Sequence, residues 1–148
     1  MTDHALLVPL TPEAREALGG RDHVAIDSLP FRIGRESRMA MVRGELTYME
    51  RRKGDKPPNN DLYLLDNGKL LNISREHLQI EKAADGTIRV HDRGSACGTR
   101  VNDAAIGGMD RTGSLGITEG GEIVIGTRES PYRFRIDNLE RLQGIDRT

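Results

Sequence analysis

Ser74, Arg75 and His77 fall within four positions in NISREHLQI, residues 72–80, just before an alternating apolar run. Arg35 ends the earlier run FRIGR, and GSACGT, residues 94–99, is an irregular stretch with glycines at 94 and 98. An arginine fork, a serine hydroxyl and backbone N–H groups exposed by glycine are the donors that a phosphate dianion requires. Anion capture is therefore the chemistry these three stretches could perform together. The same residues allow other arrangements. Ser74, His77 and Asp92 have the types of a nucleophile, a base and an orienting acid, yet no G-x-S-x-G frames the serine. His77, His91 and Glu81 are zinc-ligand types, but a catalytic zinc needs a third protein ligand and only Glu81 is near in sequence. Beside a loop, His77 suits a hydrogen-bond bridge better than an acid or base. Cys97 would be reactive only if a cation such as Arg93 or Arg100 lowered its pKa, and packing is the simpler account. The basic RRK at 51–53 reads as a solvated loop.

The elements that would position these groups are short strands punctuated by turns. Seventeen glycines and a succession of β-rich runs argue for an all-β domain. ALLVPL, residues 5–10, opens the series. TPEAREALGG then offers Thr11 as a cap, Pro12 at the first helical position and Gly19 at the end, predicting a short inserted helix outside the core. HVAIDSL and FRIGR follow, with Phe31 and Ile33 on one strand face, Arg32 on the other and Arg35 displayed at a loop mouth. Residues 36–58 carry ten charges and end in Pro-Pro, so they read as an inserted excursion with room for a hairpin around RGE. DLYLLD is the next strand, followed by the turn signal NGK.

HLQIEK and TIRVHD, joined by AADG, predict a hairpin with Leu78, Ile80, Ile88 and Val90 on its apolar face and His77, Gln79, Arg89 and His91 on the other. RVND reads as a short strand entering a turn. EGGEIVIGTRESPYRFRI supplies two closing strands, the second with Tyr132, Phe134 and Ile136 on one face. In the tail, Leu139, Leu142 and Ile145 have the spacing of a short amphipathic helix. The expectation is one β-sandwich of about ten to eleven short strands with small helical insertions over residues 1–148, its core at about 23–136.

Composition narrows the partner. Lys plus Arg number 22 against 23 Asp plus Glu, a net charge of −1, so no global field favours nucleic acid or an anionic membrane. Five aromatics and no tryptophan leave few platforms for stacking bases. A lone Cys97 and an N-terminal stretch with neither a basic start nor a long apolar run suggest a reducing, cytoplasmic setting.

In order and strand context, FRIGR, SREH and GSACGTRVN resemble the forkhead-associated (FHA) domain, a phosphothreonine-binding β-sandwich of the FHA/SMAD-like class with the pattern G-R, S-R-x-H and N-G-T-x-V-N. The resemblance implies that Arg35 and Ser74 bind the phosphate and that Arg75 assists through its N–H and side chain. It further implies that Cys97 and Gly98 line the peptide site, and that Gly34, His77, Thr99 and Asn102 support it. Two departures stand out: Cys97 occupies the place of the family's asparagine, which grips the peptide backbone, and Ala96 replaces the small polar residue before it. A thiol is a weak substitute for a carboxamide. The inserted 36–58 segment also lengthens the usual span between the first two motifs.

The expected function is a non-enzymatic, phosphothreonine-dependent interaction module, an adaptor or regulator. Its partner would be a phosphothreonine-containing protein, either a serine/threonine kinase or a kinase substrate, with no cofactor, metal, nucleic acid or membrane involved. A degenerate relative using the sandwich for phospho-independent contact or self-assembly is the second reading, and a hydrolase the third.

Overall fold

The computed structural model describes residues 4–35, 39–42, 45–48, 59–66 and 72–143, with the two strands between 39 and 48 known by backbone only. Thirteen strands and two short helices are present among them. β1 (Ala5–Pro9) leads into α1 (Pro12–Ala17), and β2 (Val24–Ile26), β3 (Phe31–Arg35), β4 (Met39–Val42) and β5 (Glu45–Tyr48) follow. β6 (Leu62–Leu64), β7 (Leu78–Lys82), β8 (Ile88–Arg93) and β9 (Thr99–Val101) carry the central part. β10 (Ala104–Ile106), β11 (Thr112–Gly116), β12 (Glu122–Ile125), β13 (Arg133–Asp137) and α2 (Glu140–Gln143) complete the chain.

Eleven strands form two sheets, one ordered β10-β9-β12-β13-β1-β2 and the other β11-β8-β7-β3-β6. All the pairings are antiparallel except that of β3 with β6. Alternation explains the layering, because successive strand residues point to opposite faces. Leu78, Ile80, Ile88 and Val90 are buried from one sheet, Tyr132, Phe134 and Ile136 from the other, and together they fill the space between. The all-β sandwich is thus the architecture, and the β7–β8 hairpin has the apolar face that the sequence predicts.

Several local expectations need correction. α1 begins as the sequence suggests, with the Thr11 hydroxyl accepting from Ala14 N–H at 3.1 Å and Pro12 in the first turn. It is not peripheral, however: Ala14, Ala17 and Leu18 are buried in the core. The hairpin around RGE exists as β4 and β5, paired from Met39↔Tyr48 to Val42↔Glu45 in a separate two-stranded sheet. The rest of the 36–58 insertion, including RRK, lies outside the described residues, as do NGK and Ile145. β10 and β11 are strands the sequence reading lacks: β11 pairs with β8 and β10 with β9, each at a sheet edge. Leu139 and Leu142 are buried at α2, where the tail docks.

β3 is the element through which the fold reaches the site. Phe31, Ile33 and Arg35 share its inward side, so the terminal arginine follows two core residues into the sandwich. On the opposite side the backbone passes so close that a Cβ at Gly34 would sit 2.0 Å from the Arg75 carbonyl oxygen and 2.5 Å from Asn60 Nδ2. Only glycine fits there. Gly34→Ala is expected to lower stability by about 1–3 kcal/mol, seen as a lower urea midpoint with unchanged slope; an unchanged midpoint would mean that the Arg75 carbonyl can move aside freely.

Candidate functional site

One end of the sandwich gathers the end of β3, the β6–β7 loop, the β8–β9 loop and the β10–β11 loop. Ser74 joins three of the relevant stretches. Its carbonyl accepts from Arg35 N–H at 3.0 Å, its own N–H donates to His77 Nδ1 at 2.9 Å, and its Oγ accepts from Ala96 N–H at 3.0 Å. Because Oγ is used as an acceptor, its hydroxyl hydrogen remains to be donated elsewhere.

Arg35 is only 5 % exposed, which corrects the expectation of a side chain displayed at a loop mouth. The physical reason is the inward register of β3. Its Nε donates to Ile73 carbonyl at 2.7 Å, which ties the guanidinium to the residue before Ser74. Arg75 behaves differently. Its carbonyl accepts from Asn60 Nδ2 at 2.7 Å, while among the described residues its N–H and guanidinium have no hydrogen bond or ion pair.

The β8–β9 loop is shaped by a buried carboxylate. Asp92 Oδ1 accepts from the N–H groups of Gly94 and Ser95 at 2.9 and 2.8 Å, and Oδ2 accepts from Ser95 Oγ and Thr99 Oγ1 at 2.6 and 2.7 Å. Ser95 Oγ in turn accepts from Gly98 N–H at 2.9 Å. Gly98 is in the left-handed region at φ +84, and a Cβ there would sit 3.1 Å from Ile106 carbonyl oxygen. Thr99 is buried, Cys97 half-buried and Ala96 exposed.

His77 locks the β6–β7 loop to this one. It is fully buried, contrary to the expectation that it shares an outer face with His91, because β7 begins only at Leu78 and strand alternation does not extend back to it. Its Nδ1 accepts from Ser74 N–H, so the proton lies on Nε2, which donates to Gly98 carbonyl at 2.7 Å. Burial holds its pKa below the usual 6.5, against the upward pull of Gly98 carbonyl and Asp92, whose Oδ2 is 3.9 Å from Nε2. Both ring nitrogens serve backbone groups. A serine–histidine–aspartate relay is therefore not assembled at Ser74, and among the described residues no group of three His, Cys, Asp or Glu side chains could hold a metal ion.

Asn102 stands apart from the phosphate-directed groups, in the β9–β10 turn at φ +47, where its N–H and side chain bond Glu122. Three other residues belong to the site's framework and carry no motif in the sequence. Arg93 donates to Asn60 Oδ1 at 2.6 Å and Asn59 carbonyl at 2.9 Å, so it supports the amide that holds Arg75. Burial lowers the Arg93 pKa, with Glu76 opposing. Asp66 Oδ2 accepts from Asn72 and Ile73 N–H at 3.0 and 3.1 Å, while Oδ1 accepts from Tyr132 Oη at 2.7 Å. From the sequence, Asp92 enters only as the acid of a relay and Arg93 only as a cation near Cys97; the signal for Asp92's framework role is its place after Ile88 and Val90 on the inward side of β8.

A family model described as FHA domain matches residues 31–126. No curated protein matches the chain. Among solved structures, the FHA domain of CT664 protein from Chlamydia trachomatis is similar at 17 % identity and a TM-score of 0.54, covering 91 % of this chain and 97 % of that one. The FHA domain of an Arabidopsis thaliana hypothetical protein is 24 % identical with a TM-score of 0.50, covering 90 % and 81 % of the two chains. The N-terminal FHA domain of S. cerevisiae Rad53p, in complex with a phosphothreonine peptide, is 14 % identical with a TM-score of 0.56, covering 95 % and 97 %. At such identities the structural likeness speaks to the fold.

The His77 geometry has a pH consequence. A histidine with a depressed pKa takes up protons more readily once unfolded, so its contribution to stability is complete above the ordinary value of 6.5 and falls as pH drops through it. Equilibrium unfolding between pH 7.5 and about 5 should show this loss, and His77→Asn should flatten the dependence while lowering stability throughout. An equally steep profile in the variant would assign the loss to other groups.

Proposed function

The chain belongs to the FHA domain family, and on that premise we propose that it is a phosphothreonine-dependent protein-interaction module acting as an adaptor or regulator. FHA domains are interaction modules that bind phosphopeptides, and phosphothreonine is the ligand in the similar Rad53p domain. The observation that carries the reading is the meeting at Ser74 of the Arg35 strand end and the 94–98 loop, through hydrogen bonds of 3.0 Å each. That point is flanked by Arg35, by the Ser74 hydroxyl hydrogen and by the following residue, Arg75, whose N–H and guanidinium add to the donor types a dianion needs.

In the proposed complex Arg35 and Ser74 hold the phosphate, Arg75 adds a third contact, and the 96–98 segment meets the peptide backbone. Hydrogen bonds to charged groups contribute about 1.5–3 kcal/mol each, against about 8 kcal/mol for a micromolar complex. Two or three phosphate contacts therefore supply roughly half or more, before the ordering cost of the peptide. Cys97 in place of a carboxamide weakens the backbone grip without removing the phosphate contacts. The partner is a phosphothreonine-bearing protein, a kinase or its substrate, met in the cytoplasm.

One observation favours the second reading, phospho-independent contact: Arg35 is 5 % exposed, so a phosphate must gain access to it. Binding of wild type, Arg35→Ala and Cys97→Ala to a degenerate phosphothreonine peptide library, with phosphoserine and unphosphorylated controls, separates the two. The proposal expects capture of phosphothreonine peptides by the wild type, a loss of about 10- to 100-fold in the Arg35 variant and about threefold or less in the Cys97 variant. Thermal melts establish that each variant is folded. Equal binding by folded wild type and Arg35→Ala, or no phosphate preference, would favour the second reading.

A further inference from the structure

Met109 is 80 % exposed, more than any other large apolar residue among those described. It lies in the β10–β11 loop, which no motif singles out. Four positions of that loop, Gly107, Gly108, Met109 and Asp110, have positive φ. For methionine, φ +55 costs about 1–2 kcal/mol that glycine would not incur. The conformation is held by bonds to the β8–β9 loop: Met109 N–H donates to Ala96 carbonyl at 2.8 Å and Asp110 N–H to Ser95 carbonyl at 3.1 Å. Gly107 seats the loop against the buried carboxylate, since a Cβ there would meet Asp92 Cγ at 2.2 Å, and next to it Gly108 lies within van der Waals reach of Gly98, to whose Cα a Cβ at 108 would be 3.6 Å. The carboxylate that shapes the 94–98 loop therefore also seats the loop that presents Met109.

Ala96 is the link to the phosphate-directed group, because its N–H bonds Ser74 Oγ and its carbonyl bonds Met109 N–H. Two hydrogen bonds and the width of one residue separate Ser74 Oγ from Met109 N, a path of no more than about 9 Å. An extended peptide advances about 3.3–3.6 Å per residue. We propose that Met109 is a specificity-determining residue of the peptide site, packing against an apolar side chain two or three residues from the phosphothreonine of the bound partner. This rests on the phosphothreonine reading above and adds to it the kind of sequence recognised. Methionine suits the task because its unbranched thioether adapts to several apolar shapes.

The test is positional selection from a phosphothreonine library randomised at three positions on each side, with wild type, Met109→Asn and Met109→Leu. Asparagine tolerates the left-handed backbone and removes the apolar surface; leucine keeps the surface. The wild type and Met109→Leu should enrich an apolar residue two or three positions from the phosphothreonine, and alanine there should weaken binding about five- to tenfold. Met109→Asn should retain phosphothreonine peptides and lose that enrichment. Phosphothreonine capture by the wild type with no apolar preference at those positions, or with a preference unchanged in Met109→Asn, overturns the role of Met109 alone. No capture by the wild type overturns the parent reading and this inference with it.

Discussion

A carboxylate removed from water is strongly unfavourable unless donors surround it, and that requirement at Asp92 organises this end of the molecule. Four donors meet its two oxygens, two from backbone and two from hydroxyls, all between Gly94 and Thr99. The loop after β8 is thereby folded around its own strand end. Gly107 lies against the same carboxylate with no space for a side chain, which brings the β10–β11 loop into the assembly. One buried group thus sets the relation between two loops that sequence alone leaves unconnected.

His77 transmits that order to the β6–β7 loop. With one nitrogen it receives Ser74 N–H and with the other it donates to Gly98 carbonyl, so both loops are correctly placed only when the ring is neutral. Its burial, against the opposing pull of Asp92, keeps a proton acceptor at Nδ1, where a charged imidazolium would present a second donor to Ser74 N–H. The Asn60 and Arg93 side chains do the corresponding work from the outer side, holding Arg75 through its carbonyl and leaving its N–H unbonded among the described residues.

Strong alternation made the β7–β8 hairpin and β13 legible, since Leu78, Ile80, Ile88, Val90, Phe134 and Ile136 report a period of two directly. β10 and β11 were not legible because Ala104–Ile106 and Thr112–Gly116 have too few β-branched residues to announce a strand; the partners β9 and β8 define them. α1 could be bounded from its cap and proline, but its small alanines hid the fact that it packs into the core. At the site, the residue types in SREH and GSACGT pointed to the loops that converge. The burial of Arg35 and His77 was missed because strand-end register and loop closure depend on contacts distant in sequence.

The departure from the family pattern at positions 96 and 97 has a physical limit. Five bonds that fold the 94–98 loop, from Asp92 to Gly94 N–H, Ser95 and Thr99 and from Ser95 Oγ to Gly98 N–H, run between groups other than the side chains of Ala96 and Cys97. Ala96 contributes its N–H and carbonyl, which any residue but proline provides. Those five bonds do not depend on the residue type at position 97, so the Asp92-centred part of the loop can form with a residue other than the family's asparagine there. His77, Asp92, Ser95 and Thr99 are buried with their polar side-chain atoms bonded, whereas Ala96 and Met109 stand exposed and Cys97 half-buried. Such a division lets recognition vary while the scaffold holds, because a new side chain at an exposed position alters few internal contacts.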